Sequence, residues 1–268
     1  MKNIFTTCLL LISSFNASAQ IFLNQTYGGS GNETGHFICA TDRGYLVCGG
    51  TTTWGPGGQD FLTVLLDKSG NTLGSRVYGG PDNFSNQEYI QHAIQTMDGN
   101  IILAGKSKAH GAGSADGYAL KINSLGNPIW AGSVGGSQYE TFKAVIERPD
   151  SSLFWQVNGE SWGAAGYDFT LLHTSARGGL INARTYGGSG TDNATRMIML
   201  KDGHILLSGR TTSWGAGSSD LLLLKIHSTT GQVIWGKTYG GPQAEAGPNS
   251  SHSGAVSECA NGDLWVIS

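Results

Sequence analysis

Trp54, His110, Trp162 and Trp214 each head a glycine-rich stretch, and an aspartate follows each of them, at Asp60, Asp116, Asp168 and Asp220. These residue types set two chemistries. Aromatic rings carried on glycine-rich loops can stack on sugar rings, or they can fold back and pack between neighbouring elements, because large rings dominate burial. Carboxylates arranged in a circle can collect Ca²⁺, a hard cation that takes oxygen ligands. Single aspartates at turns more often accept hydrogen bonds from backbone N–H groups. One acid per repeat leaves the four carboxylates too far apart to share an ion, so the expected role of the aspartates is structural.

Other chemistries find little support. Residues 187–192 fit a calcium-binding nonapeptide pattern, but that pattern works only in tandem and the next copy is a whole repeat away. The seven histidines show no helical zinc spacing, and neither Gly-x-Ser-x-Gly nor a phosphate-binding loop is present. Glu88, Glu140, Glu147 and Glu160 stand out as acids that do not recur between repeats; a hydrolase would draw on them first. Cys39 and Cys48 flank a turn. A two-residue loop at Arg43-Gly44 sets them opposite each other, ready for a disulfide, whereas a three-residue loop turns them to opposite faces. No cofactor is expected. A net charge of −3 leaves no footprint for nucleic acid.

The elements that must position these residues recur with the motif Tyr-Gly-Gly. It appears at Tyr27, Tyr78, Tyr186 and Tyr239, with a degenerate copy at Val134, at spacings of 51, 56, 52 and 53 residues. Within each copy an apolar run leads to an Asp-Gly type turn, as at Asp98-Gly99 and Asp202-Gly203. A second run follows, then the aromatic loop, a third run opening on the aspartate, a glycine turn and a fourth run. Asp-Gly between apolar runs is a hairpin signal, because the turn needs positive φ. Forty-two glycines are therefore read as turn residues, not as disorder. Four short strands in about fifty residues, with no helical period, give an all-β fold: a β-propeller of four-stranded antiparallel blades, with four full repeats and a partial fifth.

The series Tyr-Gly-Gly-Ser-Gly, Asp-Gly, Trp-Gly-x-Gly, Asp-Leu-Leu-Leu-Leu-Lys and Lys-Thr-Tyr-Gly-Gly resembles the secreted bacterial β-propeller repeat. The copy from Tyr186 to Tyr239 matches best. The third copy departs most, with Asn182 in place of Trp235 and Asp150-Ser151 in place of Asp-Gly. The resemblance implies the fold and an extracellular or envelope location in Gram-negative bacteria; it implies no reaction. A further likeness, to the tryptophan-docking repeat of quinoprotein propellers, holds only at Trp130 and Trp235 and carries no quinone-site constellation.

The N-terminus reads as a secretory signal peptide over residues 1–19, from Lys2, a short apolar run and Ala17-Ser18-Ala19. Residues 20–268 then form the repeat domain. That run is too short to remain as a membrane span, so no membrane insertion is expected. Residues 21–27 align with a fourth strand, and the chain ends inside a second strand. Two arrangements follow, a five-bladed ring with a thin last blade or a piece of a longer propeller, and the exposed apolar edge favours the second. The expected function is a non-enzymatic binding or display module outside the cell or at its envelope, taking a glycan or protein through Trp54, His110, Trp162 and Trp214. A carbohydrate-active hydrolase, or its accessory domain, and a structural segment of a larger surface protein are the alternatives.

Overall fold

Every regular element among the described residues is a strand. The structure, a computed structural model, describes residues 26–80, 88–164, 166–216, 218–242 and 255–267. The expected leader and most of the strand expected over 21–27 lie outside the described residues.

Blade 1 comprises β1 (Glu33–Thr41), β2 (Gly44–Thr51), β3 (Asp60–Asp67) and β4 (Thr72–Tyr78). Blade 2 follows with β5 (Tyr89–Gln95), β6 (Ile101–Ser107), β7 (Asp116–Ile122) and β8 (Pro128–Val134). Blade 3 holds β9 (Glu140–Glu147), β10 (Leu153–Gly159), β11 (Asp168–Thr174) and β12 (Leu180–Tyr186). Blade 4 holds β13 (Asp192–Met199), β14 (Ile205–Thr211), β15 (Asp220–Ile226) and β16 (Val233–Tyr239). A fifth, partial sheet pairs β17 (Ala255–Glu258) with β18 (Leu264–Ile267). Each full blade is an antiparallel meander in sequence order, and the architecture is that of a β-propeller.

Burial follows strand position. The third strand of each blade is buried along nearly its whole length, whereas the fourth is mostly exposed. A strand covered on both faces must be apolar throughout, which is why β15 reads Asp-Leu-Leu-Leu-Leu-Lys-Ile. Apolar clusters join blade 1 to 2, 2 to 3, 3 to 4, and 4 to the partial sheet. First strands touch first strands from blade to blade, so they line the axis and the fourth strands form the outside. The outer face of this stack at blade 1 is open: Ile38 is 59% exposed, where its counterparts Ala93, Val145 and Met197 are buried.

This topology gives the ring two rims. The hairpins between strands 1 and 2, and between 3 and 4, share one rim. The aromatic loops and the Tyr-Gly-Gly crossings into the next blade share the other. At the hairpin rim the Asp-Gly turn is a three-residue loop: the Gly99 N–H donates to Thr96 O and the Thr96 N–H to Asn100 O, with Gly99 at φ +77°. The glycine takes the left-handed position that closes such loops.

The tyrosine of Tyr-Gly-Gly ties blades together. Tyr78 and Tyr186 donate their hydroxyls to Gly126 O and Gly231 O of the following blade, each at 2.7 Å. A second tie links the 1–2 hairpins: Asp42 N–H to Gln95 Oε1, Met97 N–H to Glu147 Oε2, and Lys201 N–H to Glu258 Oε2. Between blades 3 and 4 the donor position is Pro149, which has no N–H, and the acceptor position is Met199. Both ends of that tie are absent together. Asn158 joins these blades instead, through hydrogen bonds with Asn193 Oδ1, Ala194 O and the Ala194 N–H.

The first hairpin takes neither of the two loops weighed from the sequence, and Cys39 and Cys48 stay unbridged. The two-residue loop is Asp42-Arg43, so Cys39 faces Leu46 and Cys48 faces Phe37. The cysteines are diagonal neighbours on one face, and both are free thiols packed in the core between blades 1 and 2. Burial pushes the Cys39 thiol up to about 11.

Candidate functional site

Four acids, three of them buried, hold the crossing rim together. Glu33, Glu88, Glu140 and Asp192 occupy one repeated position, just ahead of or at the start of the first strand. The second glycine of the preceding Tyr-Gly-Gly (or its Val134 copy) donates its N–H to this acid at Glu33, Glu140 and Asp192. Hydroxyls or an amide from the aromatic loop complete the set: Thr51 and Thr53 on Glu33, Ser107 on Glu88, the Ser161 N–H on Glu140, and Thr211 and Ser213 on Asp192. Glu88 and Glu140 are therefore repeat residues, which corrects their reading as acids peculiar to blades 2 and 3. Glu147 accepts the Met97 amide of the hairpin tie. Of the four acids a hydrolase would draw on, Glu160 is the exposed one.

The four aspartates stand one per blade, each accepting at least one loop amide where its bonds are described: Gly57 on Asp60, Gly113 on Asp116, Ala164 on Asp168. All four are buried. Each carboxylate of the first three blades also lies over the first glycine of the Tyr-Gly-Gly that follows, or of its Val134 copy. A Cβ on Gly79, Gly135 or Gly187 would sit 1.6, 1.7 or 1.5 Å from a carboxylate oxygen. The glycine doublet thus has two jobs: the first residue makes room for one acid, and the second feeds an amide to another. Consecutive acids come close across each junction. Burial pushes the Glu88 and Asp168 carboxyls up, and the charges of Asp60 and Asp192 add to it. Among the described residues no three His, Cys, Asp or Glu side chains converge as a metal site.

The aromatic set lies on the same rim. Trp54 and Trp214 are each 43% exposed. Trp54, His110 and Trp214 all rest against the second glycine of the crossing, at Gly29, Gly80 and Gly188. His110 also stacks on Tyr118 with ring centroids 4.7 Å apart, and its Nδ1 is 3.4 Å from Glu88. Trp162 differs, packing over Gly159 and into the core between blades 2 and 3. Two rings thus present open surface, while His110 and Trp162 are partly covered.

Sequence reasoning missed a third group on this rim. Each first strand carries a β-bulge, and the bulged residues are His36, Gln91, Lys143 and Thr195. Bulges re-aim a side chain, and here the re-aimed residue is polar and different in every blade. Beside Lys143, across a junction, Lys106 stands between two tyrosine rings, 4.9 Å from the Tyr89 centroid and 4.8 Å from that of Tyr139. Tyr139 meets Tyr167 edge-on at 5.8 Å. Burial lowers both ammonium groups, and Lys106 lowers Lys143 further by its charge. Burial and the charge of Glu160 push the Tyr139 phenol up to about 12. The signal for this group was its departure from the repeat, since Lys106 holds the place of Gly50, Asn158 and Arg210.

Compared by sequence, the chain matches no family model and no curated protein. Compared by structure, it is similar to the Pan2 WD40 domain of Neurospora crassa, with 11% identity and a TM-score of 0.48, over 88% of this chain and 60% of that one. It is also similar to the NanB sialidase of Streptococcus pneumoniae in a K499G variant, at 14% identity and a TM-score of 0.47, covering 78% of this chain and 32% of the sialidase. The chain therefore spans 60% of the first of these structures and about a third of the second.

Proposed function

We propose that this chain is an exported binding propeller of the secreted bacterial β-propeller repeat type, and that it takes a glycan or a protein surface on its crossing rim without turnover of its own. The observation that carries the reading is the repetition of Trp54 and Trp214, half-exposed rings backed by glycine, at equivalent places on one rim. Such rings supply rigid apolar faces of the kind that stack on sugars. The hairpin rim, by contrast, spends its polar groups on its own turns and interblade ties.

A glycan array probed with wild type and with a Trp54→Ala/Trp214→Ala variant tests this reading. Loss of array signal in the variant, with an unchanged melting temperature, is the expected result. Equal binding by the two proteins removes the rings from the site. Export is tested by expressing the full chain in a Gram-negative host and sequencing the mature N-terminus. The chain is expected to begin at Gln20, and an intact Met1 in the cytoplasmic fraction sinks that part.

A further inference from the structure

Where blades 2 and 3 meet, the crossing rim abandons the repeat. Lys106 replaces Gly50 and Asn158 of the blades on either side (blade 4 has Arg210), Lys143 replaces His36, Gln91 and Thr195, and Tyr89, Tyr139 and Tyr167 replace small or polar residues. Tyr139 stands where blades 1 and 4 have Asn32 and Thr191; Tyr167 stands where the other blades have Gln59, Ala115 and Ser219. The backbone beneath them is fixed. Tyr139 forms a bridge with Ala115, its carbonyl accepts the Glu160 N–H at 3.0 Å, and the next residue's N–H donates to Ala115 O at 2.8 Å.

The two lysines are half-buried neighbours, yet among the described residues neither has a carboxylate within ion-pair distance. This chain pairs the other two lysines that it withdraws from water. Lys121 reaches Asp98 at 2.7 Å, and Lys225 reaches Asp202 in the same way two blades on. Holding two like charges together and away from water opposes folding unless a counter-charge arrives. The Tyr139 phenol, its pKa raised, stays protonated and so remains a hydrogen-bond donor, a further match to an anion. Exposed Glu160 adds an acceptor at the edge, suited to hydroxyl groups.

We infer that Lys106 and Lys143, framed by Tyr89 and Tyr139, form a subsite for an anionic group carried on a sugar ring, a carboxylate or a sulfate ester. The inference rests on the reading of the crossing rim as a glycan-binding face, and it makes that face selective for acidic polymers. The rings give apolar walls, the ammonium groups give charge, and the bulge at Lys143 aims one of them away from the sheet ladder.

Affinity electrophoresis in gels containing dextran sulfate, polygalacturonate or uncharged dextran tests the subsite. Three proteins are compared: wild type, Lys106→Met/Lys143→Met, and Lys121→Met/Lys225→Met, which loses the same charge from the other rim. The expected result is a loss of about tenfold or more in affinity for one acidic polymer in the first variant, and less than about twofold in the second. Whichever polymer responds identifies carboxylate or sulfate as the group bound. Melting temperatures should move the opposite way, with Lys106→Met/Lys143→Met no lower than wild type and Lys121→Met/Lys225→Met lower. Equal losses in both variants mean non-specific attraction and overturn the proposal, as does wild type that binds neither acidic polymer. Retardation by uncharged dextran that depends on Trp54 and Trp214 but not on the lysines keeps the rim and removes the subsite.

Discussion

Lys121 and Lys106 both belong to blade 2, one towards each rim, and the fold treats them in opposite ways. Lys121 lies almost fully buried, with its ammonium 2.7 Å from Asp98 in the Asp-Gly turn. The arrangement recurs in blade 4 with Lys225 and Asp202. Lys106 has aromatic rings on two sides and no described carboxylate partner. At the hairpin rim, then, opposite charges meet inside one blade. On the crossing rim carboxylates gather with carboxylates and lysines with lysines. A rim whose charges are neutralised in place is built for stability, and one whose charges are sorted by sign has work for a partner to do.

Glycine substitution breaks the comparison most sharply. Gly187→Ala places a methyl group 1.5 Å from Asp168 Oδ1, so the carboxylate must swing away and release the Ala164 amide. A loss of about 3 kcal/mol is expected in urea unfolding, from overpacking together with a broken buried hydrogen bond. Gly203→Ala on the hairpin rim meets nothing within 4 Å and suffers only from its φ of +79°. About 1 kcal/mol is expected there. Equal costs would mean that both rims use glycine for turning alone.

The repeat motifs and their strands were legible in the sequence because each depends on a few adjacent residues. Tyr-Gly-Gly, Asp-Gly and the aromatic loop each report a local backbone demand. The acid position was hidden by a length change. Six residues separate the motif from its acid at Tyr27–Glu33, Val134–Glu140 and Tyr186–Asp192, but ten separate Tyr78 from Glu88. An alignment anchored on the motif puts the insertion in the wrong place, and Glu88 looks unique. The register of the first hairpin was missed for a related reason: moving the two-residue loop by one position shifts every partner across the ladder by two. The lysine–tyrosine group could not be seen as a motif at all, because it is assembled from two blades and consists of departures from the repeat.

The tyrosine ties offer a gain as well as a loss. Tyr186→Phe removes the hydroxyl that donates to Gly231 O at 2.7 Å, and about 1 kcal/mol of stability should go with it. The junction between blades 2 and 3 lacks this tie because position 134 is valine. Val134→Tyr should supply a hydroxyl to the carbonyl of Gly178 and raise the urea midpoint by a similar amount. If the first variant unfolds early and the second changes nothing, the junction below the lysine–tyrosine group is packed differently from the others.

Acid titration separates the rims by sign. Burial pushes the Asp98 carboxyl up, but hydrogen bonds from Lys121, Thr96 and Asn100 outweigh it and hold the group well below its ordinary range. Its contribution is present above the unfolded value near pH 4 and is lost as pH falls through the lower, folded value. Asp98→Asn should therefore cost about 0.5 kcal/mol at pH 7, since the Asp98 carboxylate is half exposed, and nothing at the acid extreme. Asp168 runs the other way. Its folded value is raised, so its stability is full below the unfolded value and is lost as pH rises through the folded one. Asp168→Asn should melt about 3 °C higher than wild type at pH 7.5, with the lead shrinking towards pH 4. Parallel pH profiles for the two variants would erase the distinction between the rims.

The smallest effect lies in the turn where blade 3 leaves the pattern. Ser151 occupies the place of Gly99 and Gly203 and is the one non-glycine residue with positive φ among the described residues, at φ 62°. A side chain in that region crowds the following carbonyl, which is why the other blades use glycine. Blade 3 compensates locally. Asp150 accepts the Ser152 N–H and hydroxyl and faces the Arg148 guanidinium at 3.3 Å, while His173 reaches Ser152 from the next strand. Ser151→Gly relieves the backbone but gives the unfolded chain more freedom, and these terms oppose each other. The net gain should be about 0.5 kcal/mol, read as a higher urea midpoint with an unchanged slope. A loss instead would show that the Arg148–Asp150–Ser152 bonds hold this turn without strain, and that blade 3 has its own solution to the hairpin where its neighbours use glycine.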